Sequence, residues 1–205
     1  KIPISQMLIF FLLYGENRGL IDGLKLSIKN FFDYEPVNFF QDELIKNEHL
    51  LSSEINNLSL FEKNKLIIIH EANDKILSQI KENSTKTDNI VVVLSGILDK
   101  KSKLRDFFSK EKSCAIIACY NDNERSLIDF IKRELNDFQN LDLDLIHIII
   151  NNSNSNRQVV KNELEKIKAC FVDKKIDPER INRLLNYREN YDFSIVRDAA
   201  LSGDK

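Results

Sequence analysis

Apolar and polar positions along the first 120 residues follow two alternating periods. Short unbroken apolar runs occupy residues 7–14, 66–69, 90–94 and 115–118, with segments between them whose apolar residues return every three or four positions. Unbroken runs of that length predict strands covered on both faces. Val37 and Phe39 alternate with polar residues and predict a shorter second strand. Leu20, Ile21, Leu24, Ile28, Phe31 and Phe32 predict an amphipathic helix after a turn that runs from Gly15 to Gly19. A single helix is predicted over 42–56, with Leu44, Ile45, Leu50, Leu51 and Ile55 as its stripe. Another is predicted over 73–83, and one more around Leu104, Phe107 and Phe108; residues 84–89 are polar and predict a loop. Strands that alternate with helices predict a parallel five-stranded sheet, with right-handed crossovers placing helices on both faces.

The pattern changes after Tyr120. Leu127, Ile128, Ile131, Leu135 and Phe138 have helical spacing, as do Val159, Val160, Leu164 and Ile167. Residues 145–150 are rich in isoleucine, yet a lone strand there would leave its backbone unpaired, so a helix is expected. Asp177 followed by Pro178 suits the start of a further helix. The expected organisation is an α/β domain over 1–120 and a small helical domain over 121–187. Residues 188–205 are expected to form a linker and the start of a third region, with one more helix over 193–201.

Composition narrows the function classes modestly. With 42% hydrophobic and 30% charged residues, the 205-residue chain has the make-up of a globular protein. A net charge of −2 argues against a dominant electrostatic grip on nucleic acid and leaves room for a local basic patch. Cys114, Cys119 and Cys170 form no Cys-x-x-Cys pair, which suits buried thiols in a reduced cytoplasmic protein. No apolar run reaches the ~20 residues of a membrane span. The first residue is not Met, and a trimmed fragment is expected.

Four stretches carry candidate chemistry or contacts. The strand, turn and helix at the N-terminal end suggest a phosphate loop, but a working one needs Gly, four residues, then Gly-Lys-Ser/Thr. Counting from Gly15, those last places hold Leu20, Ile21 and Asp22, and Asp22 would repel phosphate. Gly15 and Gly19 therefore mark a degenerate loop, with no ATP or other cofactor expected. His70-Glu71 ends the third strand at the place of an acidic pair, and its adjacent side chains point to opposite faces. No His, Cys or Asp spacing suggests a metal site. Lys100, Lys101, Lys103 and Arg105 form a dense basic cluster at a helix start, a candidate contact for DNA or a partner carboxylate. The connection 57–65 holds Leu58, Leu60 and Phe61. These are either a small cluster capping the core or a hydrophobic plug offered to another protein.

The order of these parts resembles the delta subunit family of the bacterial DNA polymerase III clamp loader. The matching pieces are Leu13-Tyr14-Gly15-Glu16, Leu58-Ser59-Leu60-Phe61, Asp99-Lys100-Lys101-Ser102-Lys103-Leu104-Arg105 and Cys119-Tyr120. Asn162-Glu163-Leu164-Glu165-Lys166 and Asp198-Ala199-Ala200-Leu201-Ser202-Gly203-Asp204 extend the match. The resemblance implies an AAA+ fold, a P-loop NTPase-like α/β domain with a helical lid, and a C-terminal collar that is mostly missing here. It implies a subunit that binds and opens the sliding clamp (beta subunit) through Leu60 and Phe61, with Leu58 at a neighbouring contact. It also implies gamma/tau and delta prime subunits as partners, and primed DNA reached through the assembled complex. The chain would have no activity of its own within the DNA polymerase III holoenzyme, a DNA-directed DNA polymerase and nucleotidyltransferase. Arg157 stands near the place of an ATP-sensing Arg and is expected to sense nothing. The alternatives are an active P-loop ATPase acting on nucleic acid, which the loop sequence disfavours, and a DNA-binding accessory domain.

Overall fold

The computed structural model describes residues 9–32, 34–56, 64–84 and 89–185. It divides into two compact units, Lys1–Asn121 and Asp122–Lys205. In the first, β1 (Phe10–Tyr14) leads to α1 (Arg18–Phe32), then β2 (Glu35–Phe40), α2 (Gln41–Lys46) and α3 (Glu48–Asn56). There follow β3 (Lys65–His70), α4 (Leu77–Asn83), β4 (Ile90–Ser95), α5 (Lys103–Lys110) and β5 (Cys114–Ala118). All five strands are parallel and lie in the order β2-β3-β4-β1-β5.

Alternate strand residues face opposite layers, so continuously apolar strands require a cover on each side. Phe10, Leu12, Ile67, Ile69, Val91 and Val93 pack on one side with residues of α2 to α5, among them Leu44, Leu51, Ile80, Leu104 and Phe108. Leu13, Leu66, Ile68, Ile90, Val92 and Leu94 pack on the other with Ile21 and the partly buried Leu20, Leu24 and Ile28 of α1. The edge strand β2 is mostly exposed, which accounts for its weaker sequence signal.

Several boundaries differ from the sequence reading; the helix expected to run through Phe138, for one, ends at Glu134. The single helix expected over 42–56 is two, α2 and α3, because Asn47 leaves the helical region (φ −130°, ψ 87°). Asn side chains compete with helical backbone hydrogen bonds and mark such breaks. The segment 73–83 opens with a 3₁₀ turn at Asp74–Ile76, where the Asn73 side chain accepts the Lys75 amide. Helix α1 starts at Arg18, so Gly19 belongs to the helix and not to the turn.

The second unit holds α6 (Glu124–Glu134), α7 (Leu143–Asn152), α8 (Arg157–Cys170) and α9 (Pro178–Leu184). The side chains of Asn123, Asp142, Asn156 and Asp177 cap them by accepting first-turn amides. The isoleucine-rich run 145–150 lies in α7, with Ile146, Ile149 and Ile150 buried against Leu127, Ile131, Val160 and Ile167. Although the sequence reading gave helix only, one parallel bridge joins Gln139 to Lys175. Among the described residues no helix is long and apolar enough to cross a membrane. Cys114 and Cys119 are buried, and burial pushes the Cys114 thiol up to about 11. The expected third region, 188–205, with its helix over 193–201, lies outside the described residues.

Candidate functional site

In an open parallel sheet a ligand site forms beyond the carboxyl ends of the strands, where successive connections leave for opposite faces. Here β1 and β4 are neighbours, α1 packs on one face and α5 on the other, so the switch point lies beside the β1–α1 turn. That turn contains only Gly15, Glu16 and Asn17. The Gly15 amide donates to the carbonyls of Ser95 (3.3 Å) and Gly96 (3.1 Å). Its φ is +138°, and a Cβ added there would lie 2.1 Å from the Cys119 carbonyl oxygen. Only glycine tolerates both conditions.

Asn17 closes the turn from the other side. Its amide donates to the Cys119 carbonyl at 3.0 Å, and its Nδ2 donates to the Tyr120 carbonyl at 3.1 Å. Its Oδ1 accepts the Leu20 amide at 3.1 Å, so a side chain of the protein caps the end of α1 that a phosphate would otherwise approach. Gly15 and Gly19 do not share a loop. Of the residues at the places of the Lys and hydroxyl, Ile21 is buried in the core and Asp22 pairs with Lys25 at 2.9 Å. The Tyr14 and Tyr120 rings meet edge to face at 5.9 Å, and the Arg105 guanidinium sits 5.3 Å from the Tyr14 ring centre. Burial, with the Tyr120 hydrogen bond, raises the Tyr14 pKa.

His70 and Glu71 diverge. His70 Nε2 lies 3.0 Å from Asn38 Oδ1, and burial lowers its pKa. Glu71 turns into the left-handed region, with φ 57°.

The basic cluster is split by the start of α5. Lys100 and Lys101 precede the helix, Ser102 caps it, and Lys103 opens it. Asp74, from the segment before α4, closes the helix end. Its carboxylate accepts Ser102 Oγ (2.6 Å) and the amides of Lys103 (3.1 Å) and Leu104 (3.0 Å). The Ser102 hydrogen bond above all holds the Asp74 pKa below its usual value. Lys100, Lys101 and Lys103 line a cavity of about 650 Å³ together with Lys81 of α4 and Phe107 and Lys110 of α5. Arg105, which the sequence grouped with the lysines, is not part of that lining and stacks on Tyr14. The spacing 103, 107 and 110 along one helix face was a legible signal for Phe107 and Lys110. Nothing in the sequence marked Lys81.

Leu58, Leu60 and Phe61 lie outside the described residues. The two ends of their connection are described. Asn89 Nδ2 donates to the Ile55 carbonyl at 2.9 Å, and Asn89 Oδ1 accepts the Lys65 amide at 2.7 Å. One buried side chain thus joins the end of α3 to the start of β3. Lys65 Nζ also pairs with Glu54 Oε1 at 2.6 Å. In the second unit Arg157 is committed locally. Its Nε and Nη2 each lie 2.7 Å from an Asp122 carboxylate oxygen, and its guanidinium sits 4.3 Å from the Phe130 ring centre.

No protein-family model matches the sequence, and no curated protein matches it. Among solved structures, the Thermotoga maritima RuvB Holliday junction branch migration motor aligns with a TM-score of 0.49 at 13% identity, covering 86% of this chain and 61% of that one. The Bacillus subtilis DNA clamp loader delta protein aligns with a TM-score of 0.65 at 14% identity, over 98% of this chain and 70% of that one. The five-stranded parallel sheet and the helical unit after it therefore share their fold with that clamp loader delta protein along nearly the whole chain.

Proposed function

We propose that this chain is a clamp-loader subunit that binds and opens the sliding clamp without hydrolysing ATP itself. The observation that carries this reading is the β1–α1 turn, set in a fold shared with a clamp loader delta protein. The turn has three residues, is fastened by Gly15 to Ser95 and Gly96 and by Asn17 to Cys119 and Tyr120, and leads into a helix end capped by Asn17. It offers no lysine or hydroxyl to a triphosphate, which favours a binding role over the P-loop ATPase alternative.

The clamp contact is assigned to Leu60 and Phe61, with Leu58 beside them. Asn89 and the Lys65–Glu54 pair support the assignment by anchoring both ends of that connection to the sheet layer. Burying Leu60 and Phe61 in a partner pocket would contribute ~1.5–3 kcal/mol each. That amounts to up to a few powers of ten in affinity. A subunit that binds the open ring more tightly than the closed one opens it by that difference alone. Within the DNA polymerase III holoenzyme, ATP binding by partner clamp-loader subunits would control whether this surface can reach the clamp.

The test is capture of a purified bacterial sliding clamp by this chain, with and without Leu60→Ala plus Phe61→Ala. The expected outcome is loss of capture with thermal stability nearly unchanged. Wild-type chain that fails to retain the clamp, or a double variant that unfolds because the pair is core, would refute the assignment.

A further inference from the structure

We propose that the outer edge of β5 pairs antiparallel with the same strand of a second copy of this chain, joining the two sheets. The odd-numbered residues along β5 bond to β1: the Phe10 amide donates to the Ser113 carbonyl at 3.3 Å, and the Cys119 amide to the Tyr14 carbonyl at 2.7 Å. The even-numbered residues Cys114, Ile116 and Ala118 therefore turn their amides and carbonyls away from β1. β5 stands last in the strand order. The Cys114 amide is taken by the Glu111 carbonyl at 3.1 Å. Among the described residues the Ile116 and Ala118 amides meet no acceptor, and Ala118 is exposed.

The opposite edge of the sheet is blunted. In β2 the Glu35 amide donates to the Asn64 carbonyl at 3.4 Å, just before β3, so Pro36, Asn38 and Phe40 face outward. Pro36 has no amide, and the Phe40 amide is held by Glu43 Oε2 at 3.0 Å. Proline and captured amides keep an edge from pairing. β5, Cys-Ala-Ile-Ile-Ala, carries no proline and no charge.

Its own sequence fits a second copy. With a twofold axis at Ile116, the Ile116 amide and carbonyl exchange hydrogen bonds with the partner's Ile116. The Ala118 amide meets the carbonyl of the partner's Cys114, so both free amides of the edge are satisfied in each copy. Ala115 then lies against the partner's Ile117, and Ile117 against the partner's Ala115. This small-against-large contact falls on the α1 side of the sheet, where Ala115 and Ile117 are half-buried. Ile116, half-buried on the other side, meets the partner's Ile116. Cross-strand pairs of this kind stabilise an antiparallel ladder. The contact is short, so the association is weak and concentration-dependent. It draws on no residue of 57–65 and stands apart from the clamp contact.

The test is sedimentation equilibrium of the whole chain over rising concentration, with amide exchange measured in parallel. The apparent mass should climb toward twice that of one chain, and exchange at Ile116 and Ala118 should slow as it does. Ala118→Pro removes one outward amide and no bond to β1, and should keep the chain single. Asn38→Pro, the same change on the β2 edge, should leave the association intact. Circular dichroism checks that both variants are folded, and the exchange of the unaltered chain decides the matter where one is not. A single-chain mass up to about 1 mM, a pair that persists in Ala118→Pro or is lost in Asn38→Pro, or exchange at Ile116 and Ala118 that is slow at every concentration would overturn the proposal. The last result would mean that the chain covers this edge itself.

Discussion

Replacing Arg157 by alanine should destabilise the second unit through loss of a buried ion pair. The Arg157 and Asp122 side chains are 11% and 5% exposed, and the guanidinium makes two 2.7 Å hydrogen bonds to the carboxylate. Removing one partner of such a pair costs about 3–5 kcal/mol, because the other charge stays buried. The lost stacking on Phe130 adds ~0.5–2 kcal/mol. Asp122 keeps the Ser126 hydroxyl, which donates to it at 2.7 Å, so the expected total lies near the lower bound, about 3 kcal/mol. That corresponds to roughly a hundredfold faster amide exchange in α6 and α8, a readout confined to this unit. Arg157→Met keeps an apolar stem over Phe130, and combining it with Asp122→Asn removes both charges. The double variant should lose less than the sum of the single variants, with a coupling of ~1–3 kcal/mol. An exchange change below about threefold, or strict additivity, would show that the pair is not what holds α8 to the start of α6.

Three further outcomes follow from the first unit. Asp74 has a depressed pKa in the folded chain, so its stabilisation is present above the unfolded value, near ~3.9, and disappears as pH falls through the folded value. Asp74→Ala should cost about 1 kcal/mol at neutral pH, and the gap between wild type and variant in denaturant titrations should narrow as pH falls below ~4 and close through the lower folded value. Gly15→Ala should lower the melting temperature sharply, since its Cβ would meet the Cys119 carbonyl oxygen at 2.1 Å. Gly23→Ala, in α1 with nothing within 4 Å, should raise it by the equivalent of ~0.5–1 kcal/mol. ATP with magnesium should leave the melting temperature unchanged, and a shift that grows with ATP concentration would contradict the proposal that the β1–α1 turn binds no nucleotide.

Sequence periodicity carried the architecture because burial on two faces demands it. Strands such as 66–69 and 90–94 are apolar at every position, and the helices between them show one stripe each. A lone strand would leave its backbone unpaired, and residues 145–150 are helical despite their isoleucines. The motif mismatch at Leu20, Ile21 and Asp22 was also legible, since a phosphate loop is local in sequence. Breaks at single residues were not. Asn47 splits a segment whose apolar stripe continues across it, so periodicity alone joins the halves.

What the sequence by itself determined is the alternation of strands and helices, the helical run after residue 120 and the departure from phosphate-loop spacing at Leu20, Ile21 and Asp22, all properties of residues close together along the chain. Only the tertiary structure decided that Gly15 is fastened to Ser95 and Gly96 and Asn17 to Cys119 and Tyr120, that Asp74 closes the end of α5, and that Arg157 is held by Asp122. It also moved Arg105 away from the lysines and brought Lys81 to them. Those pairings join residues that are tens of positions apart, and which of many chemically equivalent partners meet is set by how the strands and helices pack.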